Sequence, residues 1–101
     1  MKKISQNELT NLLGGFIGVE NAPARCGRGT SPNQFILKFE NGKIFQSYSS
    51  VVGAKLNDGG LFFGKDHDYS NTTASHLTRW CGYSTKERRK LLEREEATLI
   101  D

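Results

Sequence analysis

The stretch that decides the fold is Phe35-Ile36-Leu37-Lys38-Phe39-Glu40-Asn41-Gly42-Lys43-Ile44-Phe45-Gln46-Ser47-Tyr48. Two β-prone runs flank an Asn-Gly pair. Asn and Gly tolerate the positive φ that both central residues of a type I′ turn need, so the pattern predicts a two-residue β-hairpin. Phe35, Leu37 and Phe39 fall on one face. Ile44, Gln46 and Tyr48 alternate with Phe45 and Ser47 across the turn.

Downstream, Ser49-Ser50 can cap a short helix from Val51 to Leu56, which Asn57-Asp58-Gly59-Gly60 would end. Leu61-Phe62-Phe63-Gly64-Lys65 reads as a third strand. Asp66 to Thr73 is a polar turn rich in helix-capping residues. A helix follows, with Leu77, Trp80 and Cys81 on its buried side and Gly82 at its end. Ser84-Thr85-Lys86-Glu87 is a capping box that opens a last helix to about residue 98.

Upstream, Ser5-Gln6-Asn7-Glu8 is another capping box. Leu9, Leu12, Leu13 and Phe16 then follow at i, i+3, i+4 and i+7, one helical face. Gly14-Gly15 can end that helix, which gives a span of about 6 to 14, and Phe16 to Glu20 reads as a short strand. Residues 21 to 34 read as a long loop of turn formers carrying Arg25 and Arg28. The expected architecture is α+β: a small antiparallel sheet of about three strands, packed against short helices, with two C-terminal helices. A chain of 101 residues fits one domain, 1–101.

Two lysines open the chain without the apolar run of a signal peptide, and no stretch reaches the roughly 20 apolar residues of a membrane span. The expected location is the cytoplasm, where Cys26 and Cys81 would be free thiols.

Candidate chemistry gives way to structural readings. Cys26, His67, His76 and Cys81 are zinc-ligand types, but no cysteine pair has finger spacing. Cys81 adjoins Trp80 on an apolar face, which suits a small core residue better than a nucleophile. Asp66 and Asp68 flank His67 on a turn, where capping and solvation account for them. Gly27-Arg28-Gly29 lacks both the phosphate-loop and the dinucleotide pattern. No catalytic residue, metal or cofactor is expected.

Charge is more informative. The net charge is +3, and Arg79, Lys86, Arg88, Arg89, Lys90 and Arg94 cluster in the last two helices, with Glu87, Glu93, Glu95 and Glu96 among and after them. The last helix thus runs from basic to acidic, against the helix dipole. Two explanations stand: a basic end facing an acidic partner, or a solvated face laced with ion pairs. The candidate partner-binding set is Arg25, Arg28, Arg79, Lys86, Arg88, Arg89 and Lys90. Tyr48, Tyr69 and Tyr83 sit at element ends, where a ring can finish the core or anchor a contact.

Phe39-Glu40-Asn41-Gly42, Ser47-Tyr48-Ser49 and Asp68-Tyr69-Ser70-Asn71-Thr72-Thr73 resemble a small bacteriophage domain family of unknown function with an SYxT / YSxTT pattern. The resemblance spans about residues 35 to 82 and departs at Ser50, where the pattern has Thr. It implies a non-enzymatic phage accessory protein in the host cytoplasm. Such a protein would bind and inhibit a host protein or ribonucleoprotein complex, a defence system such as a CRISPR-Cas effector. The alternative is a small basic nucleic-acid-binding protein. An unpaired sheet edge would also permit a homodimer.

Overall fold

In the computed structural model, which describes residues 1–24 and 28–101, the chain runs β1 (Lys3–Ile4), α1 (Gln6–Leu13), β2 (Phe16–Pro23), β3 (Thr30–Phe39), β4 (Gly42–Ser47), β5 (Ser50–Leu56), β6 (Leu61–Gly64), α2 (Asn71–Cys81), α3 (Thr85–Glu93) and β7 (Thr98–Ile100). The strands form one seven-stranded sheet in the order β1-β7-β6-β5-β4-β3-β2. β2 to β6 are an antiparallel meander. β7 is parallel to both β6 and β1. Connections span both faces: α1 links the two edges of the sheet, and α2 with α3 carries the crossover from β6 to β7.

Each face therefore has its own core. Leu9 and Leu13 of α1 pack on Ile44, Ala54, Phe62 and Ile100. On the other side Leu77, Cys81 and Leu92 pack on Ala22, Ile36, Phe45, Val52 and Phe63. Cys81 is a buried free thiol, while Cys26 lies outside the described residues. Among the described residues no helix is long and apolar enough to cross a membrane.

This architecture corrects the expectation of a three-stranded sheet. The predicted helix from Val51 to Leu56 is strand β5. Six residues are too few for a stable helix, and β-branched Val51 and Val52 favour the pleat. Val52 sits in a bulge between the pairs Gln46–Val51 and Phe45–Gly53. The bulge places Val52 and Gly53 both toward α2, where a Cβ on Gly53 would come within 2.8 Å of Leu77. The Asn57-Asp58-Gly59-Gly60 segment is a hairpin turn, closed by Leu56 N–H donating to Gly60 O (2.9 Å), not a helix end.

The expected loop at 21–34 is largely the β2–β3 ladder. Pro23 fits there because β2 is an edge strand and its missing N–H leaves no ladder bond unmade. The last helix stops at Glu93 rather than near 98. Glu95 takes φ 59, and Thr98–Ile100 returns to the sheet.

The first hairpin exists, but its turn is Glu40-Asn41, with Phe39 paired to Gly42, and neither turn residue has positive φ. Asn41 serves α1 instead: its backbone N–H donates to Leu13 O (2.9 Å) and its Nδ2 to Leu12 O (3.3 Å). These bonds satisfy carbonyls that a helix end leaves open. Gly42 is needed for close approach, since a Cβ there would collide with the Lys55 carbonyl and Leu13.

Candidate functional site

The β4–β5 turn is two residues long. Ser47 pairs with Ser50, which leaves Tyr48 and Ser49 at the tip. Tyr48 has φ 54, a left-handed conformation that costs a non-glycine residue about 1–2 kcal/mol. Two bonds hold it there: Tyr48 N–H donates to Asn33 O (2.7 Å), and Gln46 Nε2 donates to Tyr48 O (2.8 Å). The residue is 55% exposed.

A second turn approaches from β6. His67 N–H donates to Gly64 O (3.0 Å), and Tyr69 N–H to Asp66 O (3.1 Å). Ser70 then caps α2, its hydroxyl accepting from Thr73 N–H at 3.1 Å. Tyr69 is 81% exposed. A buried bond between the Ser47 and Thr73 hydroxyls (2.8 Å) ties the two turns together. Between them opens a cavity of about 280 Å³, lined by Ser47, Tyr48, Ser50 and Val52 from the hairpin and by Asp66, Tyr69 and Thr73 from the second turn and α2. Aromatic rings, hydroxyls and one carboxylate thus converge on one concave surface.

The two acids of the second turn differ. Asp68 accepts from Arg89 Nη2 in a 2.6 Å ion pair. That hydrogen bond holds its carboxyl below the ordinary value. Asp66 lines the cavity and has no ion pair among the described residues.

Arg88 fixes this turn from behind. Its side chain is 0% exposed, and it makes five hydrogen bonds. Nε donates to His67 Nδ1 (3.0 Å), Nη1 to Thr78 Oγ1 (2.9 Å) and Tyr83 O (2.7 Å), and Nη2 to Thr85 Oγ1 (3.0 Å) and His67 O (3.3 Å). A guanidinium has five N–H donors, so the set is complete. Burial, then the charge of Arg88, lowers the His67 pKa from its ordinary 6.5.

The sequence-derived basic set is therefore divided. Arg88 is corrected from a surface contact to an interior strut. Arg89 is engaged with Asp68, while Lys86 and Lys90 are exposed on α3. Arg79 is exposed and donates through Nη1 to Ala24 O (3.1 Å), and Arg28 is exposed beside the β2–β3 turn. Arg25 lies outside the described residues. Lys55, a suggested extension, turns inward over the Trp80 ring at 4.6 Å from its centroid. The charge order of α3 now has a cause. Arg88 and Arg89 serve tertiary partners, and Glu95 and Glu96 lie beyond the helix.

Tyr83 packs against the core, unlike Tyr48 and Tyr69. Sequence reading did not bring the latter two together. The signal was present in the Ser47-Tyr48-Ser49 and Tyr69-to-Thr73 segments, of which Ser47, Tyr48, Tyr69 and Thr73 line the same cavity.

Residues 25–96 match a family of unknown function (DUF8033), and the chain belongs to that family. No curated protein and no solved structure matches it.

Proposed function

We propose that this family member is a non-catalytic binding protein that captures a basic side chain of a partner protein, Lys or Arg, at the Tyr48–Tyr69 cavity. One observation carries the reading: two exposed tyrosines and Asp66, which has no ion pair among the described residues, line one cavity of about 280 Å³. A cation gains from aromatic faces, by about 0.5–1 kcal/mol each at exposed sites, and from the carboxylate. A nucleic-acid phosphate would meet the same carboxylate as repulsion, which favours a protein partner over the nucleic-acid reading.

The non-catalytic part is supported by the commitment of the polar groups. Ser47 Oγ is bonded to Thr73 Oγ1, which joins the two turns. His67 Nδ1 is taken by Arg88. Stoichiometric capture of a host complex, as a phage accessory inhibitor would perform it, is compatible with such a contact. That finer reading is supported by the motif resemblance alone.

The test is affinity capture from a nuclease-treated host lysate, with Asp66→Asn and Tyr69→Ala proteins beside the unaltered one. A discrete protein recovered by the unaltered chain, and reduced at least about tenfold with either variant, is the expected result. Recovery of nuclease-sensitive material only, or full retention by Asp66→Asn, would overturn the proposal.

A further inference from the structure

β2 forms one edge of the sheet, and among the described residues no strand pairs with its outer side. One bond fixes the direction of its main-chain groups. Glu40 N–H donates to Gly15 O (2.9 Å), which makes Phe16–Phe39 a non-hydrogen-bonded pair of the β2–β3 ladder. The two kinds of pair alternate along β3 from Phe39 to Phe35. Gly18–Lys38 and Glu20–Ile36 therefore exchange the ladder bonds, and Val19 and Asn21 turn their N–H and C=O groups outward. Ala24 N–H donates inward to Gly29 O (3.2 Å), so Pro23 also faces outward. Phe16, Ile17 and Val19 are 59%, 66% and 59% exposed. Open main-chain groups beside exposed apolar side chains suit a strand from another chain.

Charge and register identify that strand as β2 of a second copy. An antiparallel pair with its two-fold axis at Val19 joins the two Val19 residues by main-chain bonds and sets Gly18 opposite the partner's Glu20. Lys38 neighbours Gly18 in the ladder, so Lys38 and the partner's Glu20 stand about 10 Å apart at Cα, on one face. Their extended side chains span that distance, and Gly18 puts no side chain between them. The monomer gives no reason for this glycine: a Cβ on it would meet nothing within 4 Å, and its φ is not positive. Lys38 Nζ already lies 3.1 Å from its own Glu20, so each lysine of the pair would sit between two carboxylates.

Neighbouring registers fail. An axis at Glu20 sets two carboxylates face to face. One at Asn21 sets Val19 against Pro23, which has no N–H to give. One at Gly18 sets Val19 against Ile17, where the strand bulges. The opposite edge of the sheet, β1, has two residues against eight in β2, too few for a head-to-tail partner, so closure about a two-fold axis is the available form.

We propose that this chain forms a two-fold homodimer through antiparallel β2–β2 pairing centred on Val19, with Lys38 and Glu20 paired across the junction. No residue of β2 lines the Tyr48–Tyr69 cavity, and the dimer does not depend on what that cavity binds.

Sedimentation and light scattering from micromolar to sub-millimolar concentration should show a monomer–dimer equilibrium. Val19→Pro removes an outward N–H and no bond of the β2–β3 ladder. It should keep the parent circular dichroism and, losing two hydrogen bonds per dimer, raise the dissociation constant at least about tenfold. Glu20→Lys and Lys38→Glu each set like charges together and should weaken the dimer by about tenfold as well. The Glu20→Lys/Lys38→Glu double variant restores opposite charges and should recover most of the affinity. Should Val19→Pro fail to fold, the charge-reversal set decides. A monomer at every concentration, assemblies that grow beyond two copies, a dimer at full strength in folded Val19→Pro, or a double variant no better than the single ones would overturn the proposal.

Discussion

Arg88 Nε donates to His67 Nδ1 across 3.0 Å, and this bond joins α3 to the turn that carries Asp66 and Tyr69. A buried guanidinium with no carboxylate in contact is unusual, because desolvating a charge is costly unless its donors are all met. Here two hydroxyls, two backbone carbonyls and an imidazole nitrogen meet them. Truncation would leave those acceptors without their donor and open a large void. Arg88→Ala should therefore lose about 3 kcal/mol or more, lowering the melting temperature by roughly 10–20 °C in a domain of this size. Arg88→Lys should lose less but remain clearly destabilised, since an ammonium has three donors in a different geometry. Thermal unfolding followed by circular dichroism checks both. An Arg88→Ala protein as stable as the parent would refute the interior role.

The same bond makes stability depend on pH. Nδ1 accepts from Arg88, so protonating it would both break the bond and place two cations side by side. The pKa of folded His67 is lowered from 6.5, by burial first and by Arg88 second. Between the lowered value and 6.5 the unfolded chain binds more protons than the folded one, so stability rises with pH across that window. The contribution is fully present above 6.5 and is lost as pH falls toward the folded value. Urea unfolding at a series of pH values between about 7.5 and 5 should show the decline, and His67→Gln should flatten it. A stability that increases on acidification through this range would contradict the assignment.

Gln34 gives a prediction of the opposite sign. Its side chain is 0% exposed, and neither its Oε1 nor its Nε2 has a partner among the described residues. Its pairing with Ser47 across β3 and β4 puts it on the sheet face beneath α2. Removing both polar atoms while keeping the volume ends a penalty of about 1–3 kcal/mol for each unpaired group. Gln34→Met should raise stability by about 1 kcal/mol after some loss of packing, measured by urea unfolding. A marked loss would mean that the amide is satisfied in solution.

These cases show where the chain was legible. Ser5 with Glu8 and Ser84 with Glu87 are local caps, and both open helices as expected, because a cap needs only residues within one turn; the middle helix begins inside the expected Asp66–Thr73 turn, capped by Ser70. β1, β5 and β7 were missed for the complementary reason. Lys3-Ile4 is extended because it pairs with Leu99-Ile100, nearly the whole chain away, and no two-residue pattern announces that. Arg88 was read as surface charge from its neighbours in sequence. It stands four residues before buried Leu92, on the same helical face, and that spacing was the available sign of burial. The cavity joins residues about twenty positions apart, which come together only once β5 is a strand rather than a helix.

Tyr48 separates fold from function most cleanly. With φ 54 it holds a conformation that glycine adopts without steric cost. Tyr48→Gly relieves that strain but also adds freedom to the unfolded chain, about 0.5–1 kcal/mol in the other direction. Its stability should therefore stay within about 1 kcal/mol of the parent. Tyr48→Ala keeps the strained backbone and removes the ring, so it should be no more stable than Tyr48→Gly. Both variants lack the aromatic face and should bind the protein partner at least about tenfold more weakly. Chemical denaturation and the lysate capture, run on the same preparations, separate the two effects. If Tyr48→Gly kept full binding, the strained tyrosine would be a feature of the turn alone and the cavity would lose half of its aromatic rim.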